Sequence, residues 1–225
     1  MESVHSRELK GLEAAYRVRL SNVIFPIEFR ELREALAKNG YELAGLPGPV
    51  PPRPARISFS GGIARKGEHI VEIDSDLGTV GVIGKSIETT LEAFGELSRV
   101  IIDELGVKLD ENARYYEVVA HYNLDTGKNP VRQIEKIIEN NFHFKRFGEI
   151  LGEPTSSFGV RLIPRGKIPN QEEWFDISIE PDILKAHIYH IGVVFRSPDE
   201  KKIISLIKNL GKMLIDLVEV IEGAT

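Results

Sequence analysis

A chain of 225 residues with 42% apolar and 28% charged side chains has globular composition, and its length suits one large domain or two small ones. It contains no cysteine, which excludes a disulfide framework, a thiol nucleophile and every thiolate zinc site. The net charge of −5 argues against strong nonspecific binding to nucleic acid, for which a basic surface is the usual footprint.

Tyr16, Val18 and Leu20 alternate with Arg17, Arg19 and Ser21, the period of a half-buried strand. Pro26 stands where a first helical turn tolerates proline. Phe29, Leu32 and Leu36 follow at helical spacing, and Asn39-Gly40 closes the helix. Tyr41 to Leu43 reads as a short strand. Residues 44–56 hold five of the twelve prolines and form a stiff connecting loop. Strand character returns at Ile57–Ser60, His69–Asp74 and Thr79–Ile83. Ser86 then caps a long helix with Ile87, Leu91, Phe94, Ile101 and Leu105 on one face, and Gly106 stops it.

The same order recurs in the second half. Tyr116, Val118, Ala120, Tyr122 and Leu124 alternate as a strand, and Asn129-Pro130 opens a helix carrying Ile134, Ile137 and Ile138. Phe144–Leu151 is expected to add a short strand. Three further strands are expected at Phe158–Ile163, Trp174–Ile179 and His187–Phe195. Ser197-Pro198-Asp199-Glu200 has capping-box spacing before a helix that runs to Ile221. The expected fold is α+β, with two β-α-β-β-β-α pseudo-repeats, residues 1–108 and 109–225, building an antiparallel sheet with its helices on one side.

A strand, a helix, a short strand, a three-strand meander and a long closing helix, all duplicated, resemble the TATA-binding-protein fold. The resemblance rests on element order alone. Neither the intercalating phenylalanine pairs nor the basic helices of that DNA-binding family can be placed on residues here. It implies an open sheet, and DNA binding is not carried over with it.

Several motifs have ordinary structural explanations. Gly78 to Ser86 resembles a phosphate-binding loop, but Gly78 lies one residue too far from Gly84-Lys85-Ser86, and Val80–Ile83 reads as strand. Glu72, Asp74 and Asp76 share one strand face, and Asp176, Ser178 and Glu180 occupy the corresponding strand of the second half. Such carboxylates suit magnesium or calcium if they converge. Arg17, Arg19, Arg56, Arg161 and Arg165 on neighbouring strands favour cross-strand ion pairs instead. His187 and His190 would point to opposite faces of a strand, which disfavours a shared zinc. The nearest approach to a nucleophile elbow, Phe59-Ser60-Gly61-Gly62, lacks the preceding glycine.

Apolar runs such as Val100-Ile101-Ile102 are far shorter than the ~20 residues of a membrane span, and Met1 to Glu8 is polar, so a cytoplasmic protein without membrane contact is expected. Two methionines, two glutamines (Gln133 and Gln171) and abundant Glu, Lys and Arg resemble the composition of thermophilic proteins. Function is read as a noncatalytic binding or regulatory module, without a cofactor, that meets a protein partner, a polar ligand or a second copy of itself. Its surface is the open sheet face, represented by Arg17, Arg19, Ser58, Arg161 and Asp176. The alternative is a metal-dependent enzyme acting on phosphate esters through Glu72, Asp74 and Asp176. A weaker alternative is nucleic-acid binding through the same face.

Overall fold

Alternation of period two along the strands and of period 3.6 along the helices divides the chain into fourteen elements, seen in a computed structural model that describes residues 7–22, 25–45, 60–139 and 142–223. The first half runs β1 (Glu8–Leu20), α1 (Phe29–Lys38), β2 (Glu42–Leu43), β3 (Ser60–Lys66), β4 (His69–Asp74), β5 (Thr79–Gly84) and α2 (Ile87–Leu105). The second runs β6 (Ala113–Asp125), α3 (Pro130–Ile138), α4 (Phe142–Leu151), β7 (Val160–Leu162), β8 (Trp174–Pro181), β9 (Ile188–Ser197) and α5 (Glu200–Ile221). Most of the proline-rich loop, and the expected strand residues 57–59 with Ser58, lie outside the described residues.

Three expectations are corrected. Phe144–Leu151 belongs to helix α4 rather than to a strand. Its apolar residues Phe144, Phe147, Ile150 and Leu151 recur at spacings of three, three and one, which suit one helical face better than a pleat. The last helix is capped by Asp199, whose carboxylate accepts from Lys201 N, and not by Ser197. Ser197 is the buried last residue of β9, and its hydroxyl accepts from Asp199 N one step before the cap. Helix α1 begins at Phe29 behind a Glu28 cap, whose carboxylate accepts from Glu31 N, so Pro26 stands before the helix and not in its first turn. Ser86 and Asn129 cap α2 and α3, and Gly106 takes φ +67 behind α2, a left-handed geometry that glycine adopts without steric cost.

All strands pair antiparallel in one sheet of order β2-β3-β4-β5-β1-β6-β9-β8-β7. The pair at its centre, β1 with β6, joins the two halves of the chain along almost the full length of two thirteen-residue strands. One face of the sheet supplies Tyr16, Val18, Val71, Val80 and Val82 to a core completed by Leu32 and Leu36 of α1 and Phe94, Leu97 and Ile101 of α2. The same face continues into a second core, in which Leu124, Ile177, Ile179 and Ile191 meet Ile134 of α3 and Leu210, Leu214 and Val218 of α5. Ile203 and Ile207, from the start of α5, belong to the first core, so that one helix crosses the seam and is buried in both.

Because β1–β6 pairing and α5 both tie the halves together, the chain should unfold in one transition. Leu214, fully buried, should cost about 2–5 kcal/mol when replaced by alanine. Denaturant unfolding of Leu214→Ala, followed by far-ultraviolet dichroism and Trp174 fluorescence, should shift both signals together. Two separated transitions would contradict the coupling.

Candidate functional site

The sheet face away from the two cores carries the residues of opposite parity, and the strand register sorts them into rows that cross the strands. One row reads Glu72 (β4), Gly81 (β5), Arg17 (β1), Glu117 (β6), Arg196 (β9) and Trp174 (β8), each opposite the next. Its charges alternate and are paired. Arg17 donates from Nη2 to Glu72 Oε2 at 3.3 Å, makes a second and closer contact through Nε, and lies 3.7 Å from Glu117 Oε1 through Nη1. Arg196 donates from Nε to Glu117 Oε2 at 2.9 Å, and its Nη1 reaches the carbonyl of Pro169 at 2.9 Å. The result is a ladder, Glu72–Arg17–Glu117–Arg196, spanning five strands.

Glycine makes the first rung of this ladder possible. Arg17 and Glu72 stand on strands separated by β5, and the Arg17 side chain crosses over Gly81 to reach its partner. A Cβ at Gly81 would fall 2.6 Å from Arg17 Cγ, 2.9 Å from the Tyr16 carbonyl and 3.1 Å from Glu72 Oε1. Burial opposes the Arg17 charge, but the hydrogen bond and charge of Glu72, with a further contribution from Glu117, more than offset it, and the guanidinium pKa ends above its ordinary value.

Arg19 lies one row further along β1, opposite Tyr115 of β6. The Tyr115 ring, nearly buried, has the Arg196 guanidinium 4.6 Å from its centroid and that of Arg19 6.0 Å away. Arg161 of β7 and Asp176 of β8 form the outlying pair of the same face, with Nε to Oδ1 at 2.8 Å. The hydrogen bond and charge of Asp176 raise the arginine pKa. Asp74 Oδ1 accepts from Leu77 N and closes the turn between β4 and β5.

Glu72 and Asp74 therefore stand on β4 and Asp176 on β8, with β5, β1, β6 and β9 between them. Five strand spacings amount to ~24 Å, far beyond the reach of one ion. Among the described residues no group of three or more His, Asp or Glu side chains is placed to hold a metal. His187 lies just before β9, 3.3 Å from Asp125, whereas His190 sits on the open face, stacked on His121 of β6 with ring centroids 5.5 Å apart. Its Nδ1 is 3.1 Å from Asn123 Oδ1. The loop-like Gly78–Ser86 stretch is strand β5 followed by the cap of α2, and Lys85 pairs with Glu68 at 2.7 Å. No helix among the described residues is long and apolar enough to cross a membrane.

Sequence reading missed Glu117, Arg196 and Tyr115. For Tyr115 and Glu117 the signal was present, since both alternate with the inward-facing Tyr116 and Val118, whereas Arg196 lies one residue past the expected end of its strand; the importance of all three depends on β6 lying between β1 and β9. Set against protein-family models and curated proteins, the chain matches none.

Because a Cβ at Gly81 would press on backbone as well as on the arginine, Gly81→Ala should lower stability by about 1–3 kcal/mol in urea unfolding, the usual cost of overpacking. An unchanged midpoint would show that the Arg17–Glu72 crossing does not depend on the glycine.

Proposed function

We propose that the chain is a noncatalytic binding module whose working surface is the open face of the sheet, where it recognises a protein or polar ligand. The observation that carries this reading is the ladder Glu72–Arg17–Glu117–Arg196. It keeps a broad face hydrated at its rim and orders its side chains before any partner arrives, which reduces the entropy lost on binding. The same pairing argues against catalysis, because its carboxylates are committed to guanidinium groups rather than poised for proton transfer. It argues against DNA as well, since Glu72 and Glu117 cancel the field of Arg17 and Arg196 where phosphates would lie.

We also propose that the two halves are pseudo-repeats with an architecture like that of the TATA-binding protein. In support, the strands outward from β1 are β5, β4 and β3, and those outward from β6 are β9, β8 and β7. Each half closes with a long helix on the buried side. Helix α4 interrupts the correspondence, standing where the first half has β2.

Affinity capture on the immobilised chain tests the surface, comparing it with Arg19→Glu/Arg161→Glu. Exposed pairs such as Arg161–Asp176 contribute little stability, so the melting temperature should move by no more than about 2 °C. Retention of a defined partner should fall about tenfold or more. Retention that survives, or that is lost instead with Lys212→Glu on the solvent side of α5, would contradict the reading. Duplex DNA at physiological salt should bind no tighter than ~10⁻⁴–10⁻⁶ M, and submicromolar binding abolished by the arginine changes would put nucleic acid in the partner's place.

A further inference from the structure

Beside the ladder, two residues along each strand, the open face carries a second row of a different kind. Ile70 (β4) stands opposite Ile83 (β5), Ile83 opposite Ala15 (β1), Ala15 opposite Val119 (β6) and Val119 opposite Val194 (β9). Five apolar side chains thus form a continuous stripe across the five central strands, ~19 Å long at the usual strand spacing. On its far side a third row contains Glu13 (β1), His121 (β6), Gly192 (β9), Ser178 (β8) and Arg161 (β7), again in register. The stripe is therefore flanked by polar rows on both sides. An apolar strip with a polar rim is the usual anatomy of a protein interface.

The two flanking rows are complementary to each other. A twofold axis laid along the apolar stripe, midway between two facing sheets, keeps each strand over its own copy and exchanges the flanking rows. Arg17 of one chain then faces Glu13 of the other, and Glu117 faces His121, while Ile70, Ile83, Val119 and Val194 each meet their own equivalent on the axis and Ala15, buried among its neighbours, forms the recessed middle of the stripe. Within one chain Arg17 and Glu13 lie four residues apart along β1, on the same face and ~14 Å from one another, too far to pair. Glu13 is exposed and makes no use of its charge in the ladder. The face is self-complementary, as an isologous interface requires.

Resting on the open-face reading above, we infer that the occupant of this face is a second copy of the chain, packed sheet on sheet about a twofold axis that runs along Ile70, Ile83, Ala15, Val119 and Val194. Strands of the two copies run antiparallel in this arrangement, within the range of aligned sheet packing, with the sheets ~10 Å apart. From β4 to β8, and over the six residues that separate the Arg19–Tyr115 row from the Glu13–His121 row, the face covers roughly 490 Å² in projection, about three-fifths of the ~800 Å² per partner of a standard interface. Its central stripe would be dry, and its charges would meet opposite charges at the rim.

Sedimentation equilibrium on the full chain is the test, and it should give twice the chain mass of 25.2 kDa at micromolar concentration. Glu13→Lys places a cation opposite Arg17 of the second copy at an exposed position, and should weaken the dimer about tenfold or more while leaving the melting curve unchanged at concentrations low enough that both proteins are monomeric. The chain has no cysteine, so Val119→Cys introduces a single thiol that lies on the proposed axis. A short bismaleimide should link two such chains, and should fail to link Lys212→Cys on the solvent side of α5. A monomer at several hundred micromolar, or a dimer that links through position 212 instead of 119, overturns the inference. A monomeric chain whose partner retention still depends on Arg19 and Arg161 would overturn self-pairing alone and leave the open-face reading in place.

Discussion

The pairing of β1 with β6 is the constraint on which the rest of the structure depends. Each strand is thirteen residues long, and they belong to different halves of the sequence. Their register brings Tyr16 opposite Val118 and Val18 opposite Tyr116 on the buried side, which carries the first core across the seam into the second half of the chain. On the other side it places Arg17 opposite Glu117 and Ala15 opposite Val119, which makes both the ladder and the apolar stripe continuous. A slip of one residue would send Tyr16 and Val18 to the open face and Arg17 into the core. Buried pattern and surface pattern are thus fixed by the same register.

Charge on the open face is organised rather than abundant. Arg17 and Arg196 each share Glu117, and Glu72 takes the other side of Arg17, so two acids and two bases satisfy one another across five strands. Half-buried pairs of this kind contribute little stability individually, and their value lies in fixing side-chain positions. Gly81 is the permissive element, because only a residue without a Cβ allows Arg17 to cross β5. Tyr115, held against two guanidinium groups, extends the ordered region toward Arg19.

Much of this was legible in the sequence. The parity of Tyr16, Val18 and Leu20 against Arg17 and Arg19 identified the two faces of β1, and the caps at Ser86 and Asn129 located two helices. The pairing of Glu72 and Asp176 with arginines followed from strand character and charge alone, although the identity of the partners awaited strand order. Helix α4 was misread because a short segment with two phenylalanines fits strand or helix about equally, and α3 beside it, with which it lines a groove, cannot be seen locally. The strand expected to end at Ser60 continues as β3 through Gly61-Gly62 to Lys66, with an irregularity in register just beyond the glycines. Glu117 and Arg196 became significant only through contacts between residues 79 positions apart, which no local pattern encodes.

Native-state amide exchange across the sheet tests the central role of the seam most directly. If β1 and β6 are the joint on which both halves depend, their paired amides should be among the slowest to exchange. They should open only with global unfolding, at the same free energy on the β5 side of β1 as on the β9 side of β6. Protection that persists through β6, β9 and β8 while β1, β5 and β4 exchange freely would show two independently stable halves and contradict the account.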